Sequence, residues 1–218
     1  MQVPPRLLAV AHGTASAAGS ATTHGLVDAI RVARPRTAVD LCFLDVAEPR
    51  LPNMLDERPT VVVPLLLSTG YHVHSDIPGA LERYPHARVA RHLGPDPLLV
   101  DALADRLGAL APGDSVVLVG AGSTRPEAAD ELADMGRLLG GRLGHAVRVL
   151  TLGDDVRAVL ATTPQPVRVA TYLLADGQFV TSLRKAADGL ATVADPIGVH
   201  PSVVQLVWQR YDDAAATT

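Results

Sequence analysis

Residues 7–14, LLAVAHGT, join an uninterrupted apolar run to the turn sequence His12-Gly13-Thr14. A short run of this kind is typical of a strand that is buried on both faces of a sheet. The stretch that follows, from about Ala18 to Ala33, is predicted to be a helix. Units of a strand and a helix recur along the whole chain, and their alternation indicates parallel strands with right-handed crossovers. The sequence therefore predicts an α/β fold.

The same pattern starts again in the second half of the chain. Residues 116–123, VVLVGAGS, repeat the pattern of residues 8–14, and residues 168–177 repeat that of residues 62–70. The offset between matching positions stays between roughly 104 and 109 residues, which indicates an internal duplication.

The duplication predicts two similar domains, each a small parallel sheet flanked by helices. We place the first at residues 1–111 and the second, a degenerate copy, at residues 112–218. The boundary falls near Ala111-Pro112-Gly113, a sequence suited to a linker.

Further strands and helices are expected within the first half. Asp76 is predicted to cap a helix that continues to about Arg83, with Pro78 in its first turn. The other expected elements are strands at Val39–Leu44, Val61–Leu67 and Ala87–His92 and a helix at Pro97–Leu110.

The composition limits the class of protein. Of the 218 residues, 48% are apolar and 19% are charged, which suits a packed core and excludes a disordered chain. The net charge of −4 argues against nucleic-acid binding, although arginines can still pair with an acidic small ligand.

No apolar run approaches the ~20 residues that cross a bilayer, so we expect no membrane partner and a cytoplasmic location. The single cysteine, Cys42, is predicted to be a core residue.

Three polar residues follow three consecutive strands of the first half. They are His12, Asp45 and His72. Ligands of an open parallel sheet bind beyond the carboxyl ends of its strands, so we expect these side chains to converge on one edge. Two imidazoles and a carboxylate can hold a metal ion or move protons.

The duplication provides an internal control for the two histidines. The second half has Ala121 where the first has His12, and Phe179 where the first has His72. Apolar core positions are kept in both halves, whereas both histidines are absent from the second. Their joint absence favours a shared function for His12 and His72 in the first half.

The motifs around these residues resemble those of the sirohydrochlorin chelatases of the SirB and CbiX type. They are His12-Gly13-Thr14, the sequence FLDVAEP at residues 43–49, and residues 64–78, which contain the fairly specific pattern Gly-x-His-x-x-x-Asp-Ile-Pro. The resemblance covers the first half well, and the second half is similar to the weaker repeat of the long members. It implies that His12 and His72 bind the metal.

Two residues depart from the pattern of that family. An acidic residue, usually glutamate, stands where Asp45 stands here, and the shorter side chain leaves two roles open. Asp45 could help to remove protons or orient an imidazole, or it could be a helix cap before Pro49. His74 is not part of the motif, and we expect it to be a surface or accessory histidine.

The implied reaction is the insertion of a divalent metal into sirohydrochlorin. It replaces two pyrrole N–H protons by one cation, so the site must present the ion loosely and accept protons. Imidazole suits both roles. The metal is a substrate, and no permanently bound cofactor is expected. Fe²⁺, which would give siroheme, is favoured by the similarity to long two-domain members; Co²⁺ and Ni²⁺ remain open, since a histidine pair does not discriminate among them.

The substrate ring is flat and carries many carboxylates, so a wide and partly basic cleft between the halves is expected. Candidate contacts are Thr14, Tyr71, Arg125 and Phe179, with Arg184 as a further cation near the rim. The alternatives are a tetrapyrrole or metal carrier without turnover, and an α/β domain pair that binds sugar or peptide. The duplicated chain could act as a monomer or as a homodimer.

Overall fold

The computed structural model describes residues 4–70 and 75–216. In the first half, four parallel strands form one sheet in the order β2-β1-β3-β4. Its elements in chain order are β1 (Arg6–Ala11), α1 (Ala17–Ala33), β2 (Val39–Phe43), α2 (Leu51–Met54), β3 (Thr60–Pro64), α3 (Ile77–Leu81), β4 (Ala87–Val89) and α4 (Pro97–Leu107).

The second half repeats this arrangement with a second parallel sheet in the order β6-β5-β7-β8. The predicted α/β fold with two similar halves is therefore confirmed. The elements of this half are β5 (Ser115–Gly120), α5 (Pro126–Leu143), β6 (Val147–Thr151), α6 (Val156–Thr162), β7 (Val167–Tyr172), α7 (Gln178–Ala187), β8 (Thr192–Val193) and α8 (Pro201–Ala216).

Both faces of each sheet are covered, which explains the continuous apolar strands. In β1, Leu7 and Ala9 face a core that the two halves share, whereas Leu8 and Val10 face α2 and α3. In the second sheet, alternate residues of β5 likewise face the shared core or the helices α6 and α7. The helices α1, α4, α5 and α8 therefore lie between the two sheets.

The last helix of each half packs against the other half. The helix α8 contacts β3, β4 and α1, and α4 contacts β7 and α5. Several hydrogen bonds fix α8 to the first half. Among them, the indole Nε1 of Trp208 donates to the carbonyl of Ile30 at 3.3 Å, and the hydroxyl of Tyr211 donates to the carbonyl of Pro5 at 2.6 Å. Each sheet is thus covered by a helix from the other half of the chain.

Several element boundaries differ from the predicted ones. The strand β3 ends at Pro64, not Leu67, and β4 ends at Val89, not His92. The helix α4 ends at Leu107 because Gly108 turns to a φ of 68°. Asp76 stands in the predicted capping position of α3, and Pro78 lies in its first turn, but the backbone of Asp76 is already helical and its side chain makes no capping hydrogen bond. The helix ends at Leu81, not at Arg83.

Cys42 is fully buried, as predicted, and burial raises the pKa of its thiol to about 12. This thiol is therefore a structural core group. Within the described part of the chain, no helix is both long and apolar enough to cross a membrane.

Candidate metal centre at the edge of the first sheet

His12 directly follows β1, at the carboxyl edge of the first sheet, and its side chain is exposed. The backbone N–H of Asp45 donates to the carbonyl oxygen of His12 at 2.8 Å, so the turns after β1 and β2 are joined. The Nδ1 atom of His12 lies 3.3 Å from the carbonyl oxygen of Gly13. The predicted neighbourhood of His12 and Asp45 is therefore present in the structure.

Gly13 makes this junction possible. Its φ of +98° lies in a region that favours glycine, and a β-carbon at this position would lie 1.9 Å from the carbonyl oxygen of Asp45. The two turns approach each other so closely that only a residue without a side chain fits between them.

Asp45 is part of a small ion cluster with Glu48 and Arg50, and it does not cap a helix. Its Oδ1 accepts from the backbone N–H of Val46 at 2.8 Å and from Nη1 of Arg50 at 3.1 Å. The same guanidinium lies 3.4 Å from a carboxylate oxygen of Glu48. The following helix begins at Leu51 with Arg50 in the capping position, so the helix-cap alternative for Asp45 is wrong.

The pKa of the Asp45 carboxyl lies below its usual range. The hydrogen bond from Val46 is the main cause, and the charge and hydrogen bond of Arg50, together with His12, lower it further. A carboxyl with a lowered pKa stays ionised throughout the neutral range and is a weak proton acceptor there. This electrostatic environment favours orientation or charge compensation over proton removal as the role of Asp45.

For the metal insertion that the resemblance implies, replacing Asp45 with asparagine is expected to lower the rate about tenfold, because the amide retains the shape and loses the charge beside His12. Since Asp45 titrates below the neutral range, the shape of the rate profile between about pH 6 and 8 should not change. A profile that loses its acidic limb in the variant would identify Asp45 as the base. The matched control is Asp56→Asn, another carboxylate paired with an arginine, which precedes β3 at the opposite edge of the sheet.

The other predicted ligand, His72, lies outside the described residues, as do Tyr71 and His74. The strand that precedes them, β3, is the direct neighbour of β1, so the chain leaves β3 at the edge where His12 stands. Within residues 4–70 and 75–216, no group of three or more His, Cys, Asp and Glu side chains is placed to hold a metal ion.

The second half brings its own strand ends close to this edge. A β-carbon on Gly19 would lie 2.1 Å from the carbonyl oxygen of Asp176, and one on Gly177 would lie 3.5 Å from Oγ1 of Thr14. The start of α1 therefore touches the segment that leads into α7. Phe179 follows in the first turn of α7 with 56% of its surface exposed.

The remaining cationic candidates are already paired within the second half. Arg184 contacts Asp176 at 3.1 Å and Asp195 at 2.9 Å. Arg125, in the capping position of α5, has its Nε 3.8 Å from Glu127. Arg125 is the more loosely held of the two, and its contact with substrate stays a prediction.

The sequence model of the CbiX family matches residues 6–110 and matches residues 115–214 a second time. The chain belongs to the CbiX family. The predicted resemblance is thereby confirmed, and both matches follow the two sheets of the structure.

Two bacterial proteins are similar to this chain over most of its length. The sirohydrochlorin ferrochelatase of Priestia megaterium is 25% identical over 232 residues, which cover 92% of this chain and 87% of that protein. The sirohydrochlorin ferrochelatase of Bacillus subtilis strain 168 is 24% identical over 209 residues, covering 82% and 80%.

Solved structures share the same fold. SirB from Bacillus subtilis with Fe³⁺ superposes with a TM-score of 0.79 at 23% identity, covering 98% of this chain and 96% of SirB. The sirohydrochlorin chelatase SirB of Bacillus subtilis subspecies spizizenii, in complex with cobalt, gives 0.80 at 23% identity, covering 97% and 95%. At these identities the likeness establishes the fold.

A separate groove of about 830 Å³ opens at the opposite edge of the second sheet of this CbiX chain. Asp114, His145 and Thr163 are among the residues that line it, and none of the candidate site residues does. We place the site by its chemistry, at the carboxyl edge, and not by cavity size.

Sequence reasoning missed Arg50, which holds Asp45, and Glu131, which reaches the first half from α5. Arg50 follows Asp45 closely in the chain, so a charge pair could have been suspected. Glu131 contacts Thr69 and His92 in the other half of the chain, and no local sequence pattern predicts such contacts.

Proposed function

We propose that this chain is a sirohydrochlorin chelatase that inserts Fe²⁺ into sirohydrochlorin to give siroheme. The observation that carries the proposal is the repeated CbiX match along the chain, combined with the joined turns of His12 and Asp45 at one sheet edge. Both curated relatives are sirohydrochlorin ferrochelatases.

In the proposed mechanism, His12 and His72 present the metal ion and leave its other positions open to the macrocycle nitrogens. As the ion passes to the macrocycle nitrogens, its bonds to His12 and His72 break and two pyrrole N–H bonds are lost. The freed imidazoles or water take up the two protons. The ionised Asp45, held by Val46 and Arg50, stabilises the cationic metal and orients the imidazole of His12.

The proposed substrate contacts come from both halves. Thr14 and Tyr71 flank the histidines in the sequence, and Arg125 and Phe179 belong to the second half. The contact between Thr14 and Gly177 supports a cleft in which Phe179 faces the ring, because Phe179 lies two residues further along the chain.

Replacing Phe179 with alanine is expected to raise KM for sirohydrochlorin while kcat changes little. An aromatic contact is worth about 0.5–1.5 kcal/mol, which corresponds to about a twofold to tenfold rise. Steady-state kinetics at saturating Fe²⁺ measure this. Val32→Ala removes another exposed apolar side chain, from the outer part of α1, and serves as control. An unchanged KM would remove Phe179 from the substrate contacts.

The experiment that tests the function is anaerobic incubation of a catalytic amount of the protein with sirohydrochlorin and Fe²⁺, followed by visible absorption. Multiple turnovers above the spontaneous rate are expected. Parallel reactions with Co²⁺ and Ni²⁺ decide whether cobalt or nickel is the faster substrate. Stoichiometric retention of metal or tetrapyrrole without turnover would instead establish a carrier.

The organisation of the chain completes the proposal. We retain domains at residues 1–111 and 112–218 as the units of the duplication, a cytoplasmic location, and action as a monomer or homodimer. The duplicated chain supplies both walls of the cleft, which supports a monomer.

A further inference from the structure

Glu131 connects the second half to the first through both of its carboxylate oxygens. It lies on α5, and its Oε2 accepts from the backbone N–H of Thr69 at 2.7 Å. Its Oε1 lies 2.9 Å from Nε2 of His92. The side chain is only 20% exposed. A carboxylate this shielded is tolerated because both oxygens are hydrogen-bonded.

The protonation of this pair follows from its surroundings. Burial lowers the pKa of His92 and outweighs the opposing effect of Glu131, and the nearby Arg91 and Arg210 lower it further. The imidazole of His92 is therefore the neutral partner, and its Nε2–H donates to the carboxylate of Glu131. Two N–H donors from the first half thus converge on one carboxylate of the second.

Glu131 thereby holds the segment that directly follows β3, residues 65–70, which we call the exit of β3. After Pro64 the chain leaves the sheet, and the hydroxyl of Tyr172 donates to the carbonyl oxygen of Leu67 at 2.8 Å. Two residues later, Glu131 binds the N–H of the buried Thr69. Two side chains from the second half therefore fix successive points of this exit.

We propose that Glu131 is a positioning residue for metal insertion, which holds Thr69 and thereby the chain that leads, three residues later, to His72. The inference rests on the proposed function. It also gives the second half a specific role in the reaction. The sheet edge of that half has Ala121 in place of a histidine, but its helix α5 orients the first half's exit from β3.

The first test is Glu131→Ala. Loss of an outer partner of a metal site costs about tenfold to a hundredfold in affinity or activity, so kcat should fall in that range. KM for sirohydrochlorin should stay within about twofold, because no substrate contact is removed. A merely structural role would lower the melting temperature and leave kcat per folded molecule unchanged.

Two further variants separate the effect of the side-chain length of Glu131 from the effect of its charge. Glu131→Asp keeps the charge but shortens the side chain, so it should also lower kcat, and it carries the test if the alanine variant does not fold. Glu131→Gln can still accept from Thr69 and can donate to His92 in its other tautomer, so it should restore most of kcat. Asp134→Ala removes an exposed carboxylate from the same helix and should match the wild type.

The second readout is titration of each variant with Co²⁺ alone, without tetrapyrrole. Glu131→Ala should bind Co²⁺ about tenfold to a hundredfold more weakly than wild type and Asp134→Ala. Unchanged kcat and unchanged Co²⁺ affinity in folded Glu131→Ala and Glu131→Asp would overturn the inference. If the wild type shows no turnover, the proposed chelatase fails, and the Co²⁺ affinities alone still decide whether Glu131 positions the site.

Discussion

Replacing His12 with alanine is expected to reduce metal insertion to the spontaneous background while the protein stays folded. His12 stands at the exposed edge of the first sheet, beside the ionised Asp45. Removal of its imidazole takes away one of the two groups proposed to present the metal. Because the side chain is exposed, the free energy of unfolding should change by less than about 0.5 kcal/mol.

The variant His72→Ala should show the same loss, since each histidine alone leaves the ion under-coordinated. The matched control is His86→Ala, which removes an exposed histidine just before β4, at the opposite edge of the sheet. Turnover is measured anaerobically with Fe²⁺ and sirohydrochlorin. Near-normal turnover from both His12→Ala and His72→Ala would contradict the assignment.

Replacing Gly13 with alanine is expected to damage both stability and activity. The added β-carbon would meet the carbonyl oxygen of Asp45 at 1.9 Å, and the φ of +98° is unfavourable for alanine. Backbone strain and overpacking together should cost about 2–5 kcal/mol in the free energy of unfolding. Relief of the clash must separate the turns of His12 and Asp45, so the folded fraction should also insert metal at least tenfold more slowly.

Urea unfolding and turnover per folded molecule measure these two effects. The control is Gly141→Ala in α5, where a β-carbon meets nothing within 4 Å. A glycine-to-alanine change inside a helix stabilises by about 0.5–1 kcal/mol, so this variant should be at least as stable as wild type. A Gly13→Ala protein with wild-type stability would show that the two turns do not require close contact.

The fold was predictable because its strands carry a strong local signal. Leu7 and Leu8 point to opposite faces of β1 and both are fully buried, so the apolar run reports a sheet covered on two sides. Cys42 follows the same logic in β2. The internal duplication then predicted a second sheet of the same kind, and the family resemblance implied the same architecture.

The exchange of helices between the halves was not predictable from the same signals. An apolar helix face shows that α8 is buried, but not which of two similar sheets it covers. The decisive contacts, such as Trp208 with Ile30, join residues far apart in the chain. The contacts of Glu131 with Thr69 and His92 escaped prediction for the same reason.

At the site, the positions of His12 and Asp45 at one sheet edge could be predicted from the sequence, but the lowered pKa of the Asp45 carboxyl could not. Strand order alone places both residues at one edge. The lowered pKa of Asp45 depends on the N–H of Val46 and the guanidinium of Arg50, which the turn brings to one carboxylate oxygen. Such a turn geometry, including a φ of 66° at Val46, has no simple sequence signature.

The central claim is that one pair of histidines in the first half presents a single metal ion. Titration of the protein with Co²⁺, followed by the visible absorption of the metal, tests it most directly. We predict one ion bound per chain in the wild type and in His86→Ala, and loss of that ion in both His12→Ala and His72→Ala. Retention of the bound ion by either of these two variants, or binding of two equivalent ions per chain, would contradict the claim.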